Sequence, residues 1–372
     1  MKRVLLVFGT RPEAIKLAPV VEAIERRQLE PVIAVTAQHR DLLDQVLTAF
    51  DIRPQFDLDL MRPAQSLSEI AARILLDLPP VLDTVRPDVV MIHGDTTTTL
   101  AAALVAHHQH VPIAHVEAGY RTPDVRLPFP EEANRRLVSV LADVHYAVNQ
   151  RCASALLAEG HRTEDVVLVG NPGIDALAQV LQRSPVAHPP AATVPGARLR
   201  ILVTMHRRES WGQPMRAACM AIRQIAACEP DVEVMFSAHP NPSVSEVVHS
   251  ELAGIDGVHV LPPLDYVDFS HMLASSDLVL SDSGGVHEEA VFLQKPLVLL
   301  RDTTEWPEVV QAGAVRLAGT STSSIVRATL RIVAILRSGG RTPAHEDPLA
   351  DGRAAERIAD DLTQRLRLRG NG

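Results

Sequence analysis

A chain of 372 residues is too long for one core of ordinary size and suits two domains. Its content of 46% hydrophobic and 22% charged residues is that of a globular protein, and no run of 18 apolar residues offers a membrane span. A net charge of −9 with 3% aromatic residues argues against a nucleic-acid binder, which needs surplus cations and stacking faces. Met1 to Gly9 contains too short an apolar run for a signal peptide and reads as a first buried strand. Three cysteines (Cys152, Cys219, Cys228) form no CxxC pair, which fits reduced thiols in a cytoplasmic protein.

In chain order, strands are predicted at Val4–Phe8, Val32–Thr36, Asp88–Ile92, Ile113–Val116 and Val144–Val148. Helical patterns lie between them, as at Ala14–Arg26 and Thr97–His107. The stretch Arg183–Arg198 carries four prolines and a glycine and suits a linker. Strands resume at Leu199–Thr204, Val232–Ser237, Val258–Leu261, Leu278–Ser281 and Pro296–Leu300. Arg353–Leu368 has helical spacing and is expected to pack back on the first domain. This alternation predicts an α/β protein of two Rossmann-like domains facing a central cleft, with residues 1–170 and 353–372 in the first and 171–352 in the second.

In open α/β sheets, ligands gather beyond the carboxyl ends of the strands, so polar residues just after apolar runs are the candidates. Arg11 follows Phe8-Gly9-Thr10 beside a predicted helix start, a favourable place for phosphate, although a capped helix with a surface arginine gives the same string. Asp95, in His93-Gly94-Asp95-Thr96, is either a helix N-cap or a functional carboxylate. Glu117 ends an apolar strand, a poor place for an unpaired carboxylate unless it faces the cleft. Glu131 and Arg135 are four apart on the helix after Pro130 and are expected to share a face, where they could pair.

His206 with Arg207 and Arg208 follows the first strand of the second domain and suits a departing diphosphate. Ser283-Gly284-Gly285 between a strand and a helix is a cradle of backbone donors for phosphate, with Glu289 one turn on to accept from ribose hydroxyls. His107-His108-Gln109-His110 resembles a metal tract but lacks nearby acidic or thiol ligands and is assigned to the surface. GxGxxG, HExxH and P-loop patterns are all missing.

Taken in order, these strings resemble the non-hydrolysing UDP-N-acetylglucosamine 2-epimerase family across essentially the whole chain. They are FGTRPEAIKLAP at 8–19, TAQHRDLLDQVL at 36–47, HGDTTTTLA at 93–101, HVEAG at 115–119, PEEANR at 130–135, HRRES at 206–210, DSGG at 282–285 and RDTTE at 301–305. The resemblance implies the GT-B type architecture, a homodimer, and interconversion of UDP-N-acetylglucosamine and UDP-N-acetylmannosamine through a 2-acetamidoglucal without a redox cofactor or metal. It implies acid/base roles for Asp95, Glu117 and Glu131, and a role for His206 on the diphosphate. Arg11, Lys16, Arg135, His239, Phe269, Ser283, Gly284, Gly285 and Glu289 would then bind the substrate.

The chain departs from the family pattern at Met205, His287, Val291 and Trp306, none of which touches the carboxylates. Asp41 and Ala64 replace residues common in members activated by a second UDP-N-acetylglucosamine near Gln38 and His39, so weakened or absent activation is expected. The alternatives are a hydrolysing relative, a UDP-sugar glycosyltransferase of the same fold and a nucleotide-sugar sensor. The sensor would lack one or more of Asp95, Glu117 and Glu131.

Overall fold

The computed structural model describes residues 1–36, 40–62, 65–183, 199–238, 241–304, 310, 313, 315–340, 343 and 349–369. Of the expected linker Arg183–Arg198, Arg183 ends a helix and 184–198 lie outside the described residues, as do Gln38, His39, Ala64, His239 and Trp306. The chain divides into two compact units, Met1–Gln179 with Pro348–Gly372, and Val180–Asp347.

The first unit runs β1 (Arg3–Phe8), α1 (Arg11–Arg26), β2 (Glu30–Val35), α2 (Arg40–Ala49), β3 (Phe56–Asp57), α3 (Leu67–Asp77) and α4 (Pro79–Val85). It continues through β4 (Val89–His93), α5 (Thr97–His108), β5 (Ile113–Ala118), α6 (Glu131–Leu141), β6 (Val144–Ala147), α7 (Gln150–Ala158), β7 (Val166–Leu168) and most of α8 (Pro172–Arg183), whose last turn, from Val180, falls in the second unit. Its strands form a parallel sheet in the order β3-β2-β1-β4-β5-β6-β7. The order reverses between β1 and β4, and that switch point puts the loops after these two strands side by side. A sheet packed on both faces needs continuous apolar strands, and Val4 to Phe8 are indeed wholly buried. Burial of a side chain such as Phe8 contributes roughly 1.5–3 kcal/mol.

The second unit contains β8 (Leu199–Thr204), α9 (Gln213–Cys228), β9 (Val232–Ser237), α10 (Pro242–Leu252), β10 (Val258–Leu261), α11 (Tyr266–Ser275), β11 (Leu278–Ser281), α12 (Gly284–Phe292), β12 (Leu297–Leu299), β13 (Val315–Leu317) and α13 (Thr322–Arg337). Its parallel sheet is ordered β10-β9-β8-β11-β12-β13, with the reversal between β8 and β11. The last helix, α14 (Ala354–Arg369), belongs to the first unit. It is fastened there by Tyr146 Oη donating to Asp361 at 2.9 Å and by Arg27 to Asp360 at 2.6 Å. Asp175 on α8 receives the N–H groups of Ala354 and Ala355 at 3.2 and 2.8 Å, satisfying the first turn of α14 from outside it.

The two units repeat one device at the amino ends of their sheets. Asp88 accepts from the Arg3 N–H and Asp277 from the Arg200 N–H, each at 2.7 Å. Arg3 reaches Glu30 at 3.2 Å, and Arg200 reaches Glu233 at 3.4 Å. These pairs occupy matching register positions, Arg3 opposite Glu30 and Arg200 opposite Glu233. No repeat is evident along the sequence, yet this Arg–Asp–Glu group recurs in both units.

Candidate functional site

At the first switch point, β1 turns into α1 through Gly9 and Thr10. Thr10 caps α1 in a reciprocal capping box with Glu13. The Glu13 carboxylate is buried and accepts from the N–H groups of Gly9 (3.0 Å) and Thr10 (2.8 Å) and from the Thr10 hydroxyl (2.7 Å). Its other oxygen accepts from Thr96 Oγ1 in the loop after β4, at 2.9 Å. Arg11 opens α1, and Lys16 lies one turn further along it.

Thr96, not Asp95, is the N-cap of α5; its side chain accepts from the Thr99 N–H. This corrects the capping alternative for Asp95 and leaves that carboxylate for tertiary partners. Arg135 on α6 grips it, and Asn134 donates to the Asp95 carbonyl at 2.9 Å. The possible Glu131–Arg135 pair does not form. Arg135 is held instead by the buried Glu132 at 3.3 Å, which also takes Arg136 at 2.7 Å. Position i+4 gave Glu131 the chance, but Asp95 and Glu132 together occupy the guanidinium. Glu131 sits at the start of α6, close enough for its charge to act on Asp95.

Glu117 lies in β5 at a shift of register against β6, with φ at +63°. Such left-handed backbone in a non-glycine residue costs on the order of 1–3 kcal/mol and re-aims the side chain out of the strand's alternation. The carboxylate is then paired with Lys16, and His93 Nε2 stands 3.4 Å from the same oxygen. His93 is buried, and the neighbouring His115 is held through Nε2 to the Gly94 carbonyl at 2.7 Å.

The electrostatics of the two carboxylates diverge. Burial alone would raise Glu117, but Lys16 and His93 outweigh it and hold its carboxyl well below the usual range. Burial raises Asp95; Arg135 opposes that, while the negative charges of Glu117 and Glu131 push it further up. One sheet end thus holds one carboxylate kept ionised and one that takes a proton more readily, the pairing that acid/base chemistry on two faces of a carbon requires.

At the second switch point, Asp282 follows β11 and is fully buried. It crosses to the loop after β8, accepting from the His206 and Arg207 N–H groups at 3.1 Å each, with His206 Nδ1 at 3.5 Å. Ser283 caps α12, accepting from the Val286 N–H at 3.4 Å while its own N–H donates to Ser281 Oγ at 3.0 Å. Gly284 and Gly285 begin the helix, and a Cβ on Gly285 would meet open space. Gly284 and Gly285 carry no side chain of their own at this helix start, a backbone setting favourable to an anion. Glu289 lies on the same helix, and Phe269 on α11 packs against the core around Met272 and Leu273.

The sequence candidates fall into two clusters. Arg11, Lys16, Asp95, Glu117, Glu131 and Arg135 belong to the first unit; His206, Phe269, Ser283, Gly284, Gly285 and Glu289 belong to the second. Three residues at the heart of these clusters were not singled out from sequence: Glu13, His93 and Asp282. For Glu13 a signal was present, since Thr10 followed three residues later by Glu13 spells a capping box. His107, His108 and His110 end α5 and its exit loop, and no group able to hold a metal is found among the described residues.

The sequence model of the family described as UDP-N-acetylglucosamine 2-epimerase matches residues 22–363. A UDP-N-acetylglucosamine 2-epimerase of Yersinia pestis is 44% identical over 370 residues, covering 97% of this chain and 98% of its own. One from Bacillus subtilis is 42% identical over 361 residues, covering 97% and 94%. The crystal structure of UDP-GlcNAc 2-epimerase from Neisseria meningitidis bound to UDP-GlcNAc superposes with a TM-score of 0.86 at 38% identity, covering 97% of this chain and 100% of that one. Matched along nearly its full length in sequence and in fold, the chain belongs to the UDP-N-acetylglucosamine 2-epimerase family.

Proposed function

We propose that this protein interconverts UDP-N-acetylglucosamine and UDP-N-acetylmannosamine without hydrolysis and without a redox cofactor. The sugar C2–H is not acidic, so the reaction proceeds by loss of UDP from C1 as the C2 proton leaves, giving a 2-acetamidoglucal. The proton returns from the opposite face and UDP adds back across the double bond. The observation that carries this reading is the meeting of Asp95, held by Arg135, and Glu117, held by Lys16, at one sheet end, where their surroundings shift the first carboxyl up and the second down, with the charge of Glu131 acting on Asp95. These three carboxylates share the proton traffic at C2.

The second unit holds the nucleotide in this reading. Donors at the start of α12 and the partly exposed His206 take the charge of the departing diphosphate. Phe269 and Glu289 bind the nucleoside side; Arg11, Lys16 and Arg135 serve the first unit, and His239 completes the substrate set. The protein acts in the cytoplasm as a homodimer, a state supported by exposed Leu137 and Val140 on α6 and Phe129 before it. Sedimentation equilibrium of the purified chain at micromolar concentration tests the dimer; a monomer mass would remove it.

Proton NMR in deuterium oxide, with UDP-N-acetylglucosamine and no added cofactor, tests the activity. UDP-N-acetylmannosamine deuterated at C2 is the expected product. Free N-acetylmannosamine with free UDP would replace this reading with the hydrolysing one, and an unchanged substrate would refute both.

A further inference from the structure

Both units close their switch points in the same way, with a buried carboxylate that spans two neighbouring loops and binds backbone N–H groups. Glu13 joins the loop after β1 to the loop after β4, and Asp282 joins the loop after β11 to the loop after β8. The loops so joined carry Asp95 in one unit and His206 in the other. We propose that Glu13 and Asp282 are positioning residues with divided duties: Glu13 sets the carboxylates for proton transfer at C2, and Asp282 sets the loop that holds the diphosphate. The assignment of duties rests on the epimerase reading above; the staples themselves do not.

Counting hydrogens shows how tightly Glu13 is committed. A carboxylate offers about four lone-pair sites. Gly9 N–H, Thr10 N–H and the Thr10 hydroxyl converge on one oxygen, and the Thr96 hydroxyl serves the other. Thr99 Oγ1 also stands 3.2 Å from that second oxygen, but its single hydrogen has a better acceptor in the His93 carbonyl at 2.7 Å. Thr96 is next to Asp95 in sequence, and His93 stands against Glu117. Glu13 touches neither reacting carboxylate, yet its bonds fix the ends of the segment that carries one and supports the other.

Asp282 differs in one decisive way. Its two oxygens each accept from a backbone N–H, Oδ1 from His206 and Oδ2 from Arg207, and a backbone N–H does not reverse direction. At Glu13, the second oxygen faces only hydroxyls, which accept as readily as they donate. A Gln at position 13 keeps its carbonyl on Gly9 and Thr10 and turns its amide to donate to Thr96 and Thr99. An Asn at 282 places an N–H against an N–H whichever way it is turned. Amide substitution is therefore tolerated in one staple and not in the other.

The experiment compares the wild type with Glu13→Ala, Glu13→Gln, Asp282→Ala and Asp282→Asn, measuring kcat and KM by the deuterium NMR assay and UDP affinity by calorimetry. A displacement of about 1 Å at the reacting groups costs about a hundredfold in rate, so Glu13→Ala is expected to lower kcat about a hundredfold with UDP affinity unchanged. Glu13→Gln restores kcat to within about threefold, because all its bonds have willing partners. Asp282→Ala and Asp282→Asn both weaken UDP binding by about tenfold or more, the scale of one buried donor left unsatisfied.

Equal losses in Glu13→Ala and Glu13→Gln, full UDP affinity in Asp282→Asn, or a Glu13→Ala defect confined to KM would overturn the proposal. An inactive wild type would remove the epimerase reading and with it the division of duties. In that event amide hydrogen exchange still decides the staples: Gly9 and Thr10 must lose protection in Glu13→Ala, and His206 and Arg207 in Asp282→Asn. Unaltered protection ends the proposal under either activity.

Discussion

Replacing Lys16 with Met probes the protonation of Glu117 with one cut. Lys16 and Glu117 are both largely shielded, with 22% and 15% of their side chains exposed. Burial works against the Glu117 charge, while Lys16 and His93 sustain it. An opposite charge at contact distance lowers a carboxyl by about 1–3 pH units, so its removal raises Glu117 by the same amount. Because the folded carboxyl lies below its unfolded value, the pair contributes stability that is complete above the unfolded value of 4.5 and is lost as pH falls through the folded one. At neutral pH, Lys16→Met therefore loses about 1–4 kcal/mol of folding stability. The informative assay is kcat/KM against pH for both proteins. With Glu117 as the base, the acid limb of the Lys16→Met profile moves upward by about 1–3 pH units. Lys16 is also proposed to bind the substrate, so the height of the profile is expected to fall too; the position of the limb is the diagnostic. An acid limb that stays where it was, with urea stability unchanged, would refute both the pairing and the role of Glu117.

Arg135→Met removes the cation that opposes the rise of Asp95, so Asp95 moves further up and the profile shifts toward acid-form catalysis; an unchanged pH profile would disconnect Asp95 from the reaction. Burial pushes His115 down to about 4 and His145 down to about 3, both from 6.5, so between 6.5 and those values the unfolded chain binds the extra protons and stability rises with pH. Each contributes a slope of about 1.4 kcal/mol per pH unit there, and His145→Gln removes one such slope in urea titrations at pH 5, 6 and 7. Burial raises Asp175 to about 6 from 3.8, so its contribution has the opposite sign and is lost as pH climbs through 6; Asp175→Asn takes that counter-slope away. Gly170 has φ at +94°, and a Cβ there would lie 2.5 Å from the Leu349 carbonyl oxygen. Gly170→Ala is expected to cost about 2–4 kcal/mol, read as a lowered Tm; a loss below about 0.5 kcal/mol would show that the backbone yields.

Most of the strands of both sheets were legible because buried parallel strands spell unbroken apolar runs, as in Val4 to Phe8 and Leu278 to Leu280. β3, β7 and β13 were not, since two or three residues at a sheet margin carry no period. The polar strings after β1, β4, β5, β8 and β11 located the candidate residues, because a strand end in an open sheet leaves few other places for them. Partner choice was not legible. Asp95 and Thr96 are both good caps, but Arg135 takes the Asp95 carboxylate and Glu13 holds the Thr96 hydroxyl, and Thr96 is the cap. Helical spacing likewise permits Glu131–Arg135 but cannot see Asp95 arriving from another loop. The left-handed turn at Glu117 carries no glycine to announce it.

The fastening of α14 onto the first unit has a consequence for how the protein comes to be made. Everything from Val180 to Asp347 is translated after the body of the first unit and before the helix that completes it. At about 5–20 residues per second, the ribosome leaves that unit unfinished for roughly 10–35 seconds while the second unit emerges and folds. Throughout that interval, the surface that will receive Ile358, Leu362 and Leu366 lies bare, and Tyr146 and Arg27 wait for their carboxylate partners. Stop codons or frameshifts between residues 180 and 354 thus yield a chain that keeps Asp95, Glu117 and Glu131 but whose first unit never closes. Such products are natural targets for chaperones and proteases, so only a chain read through both units leaves the ribosome able to hide its core.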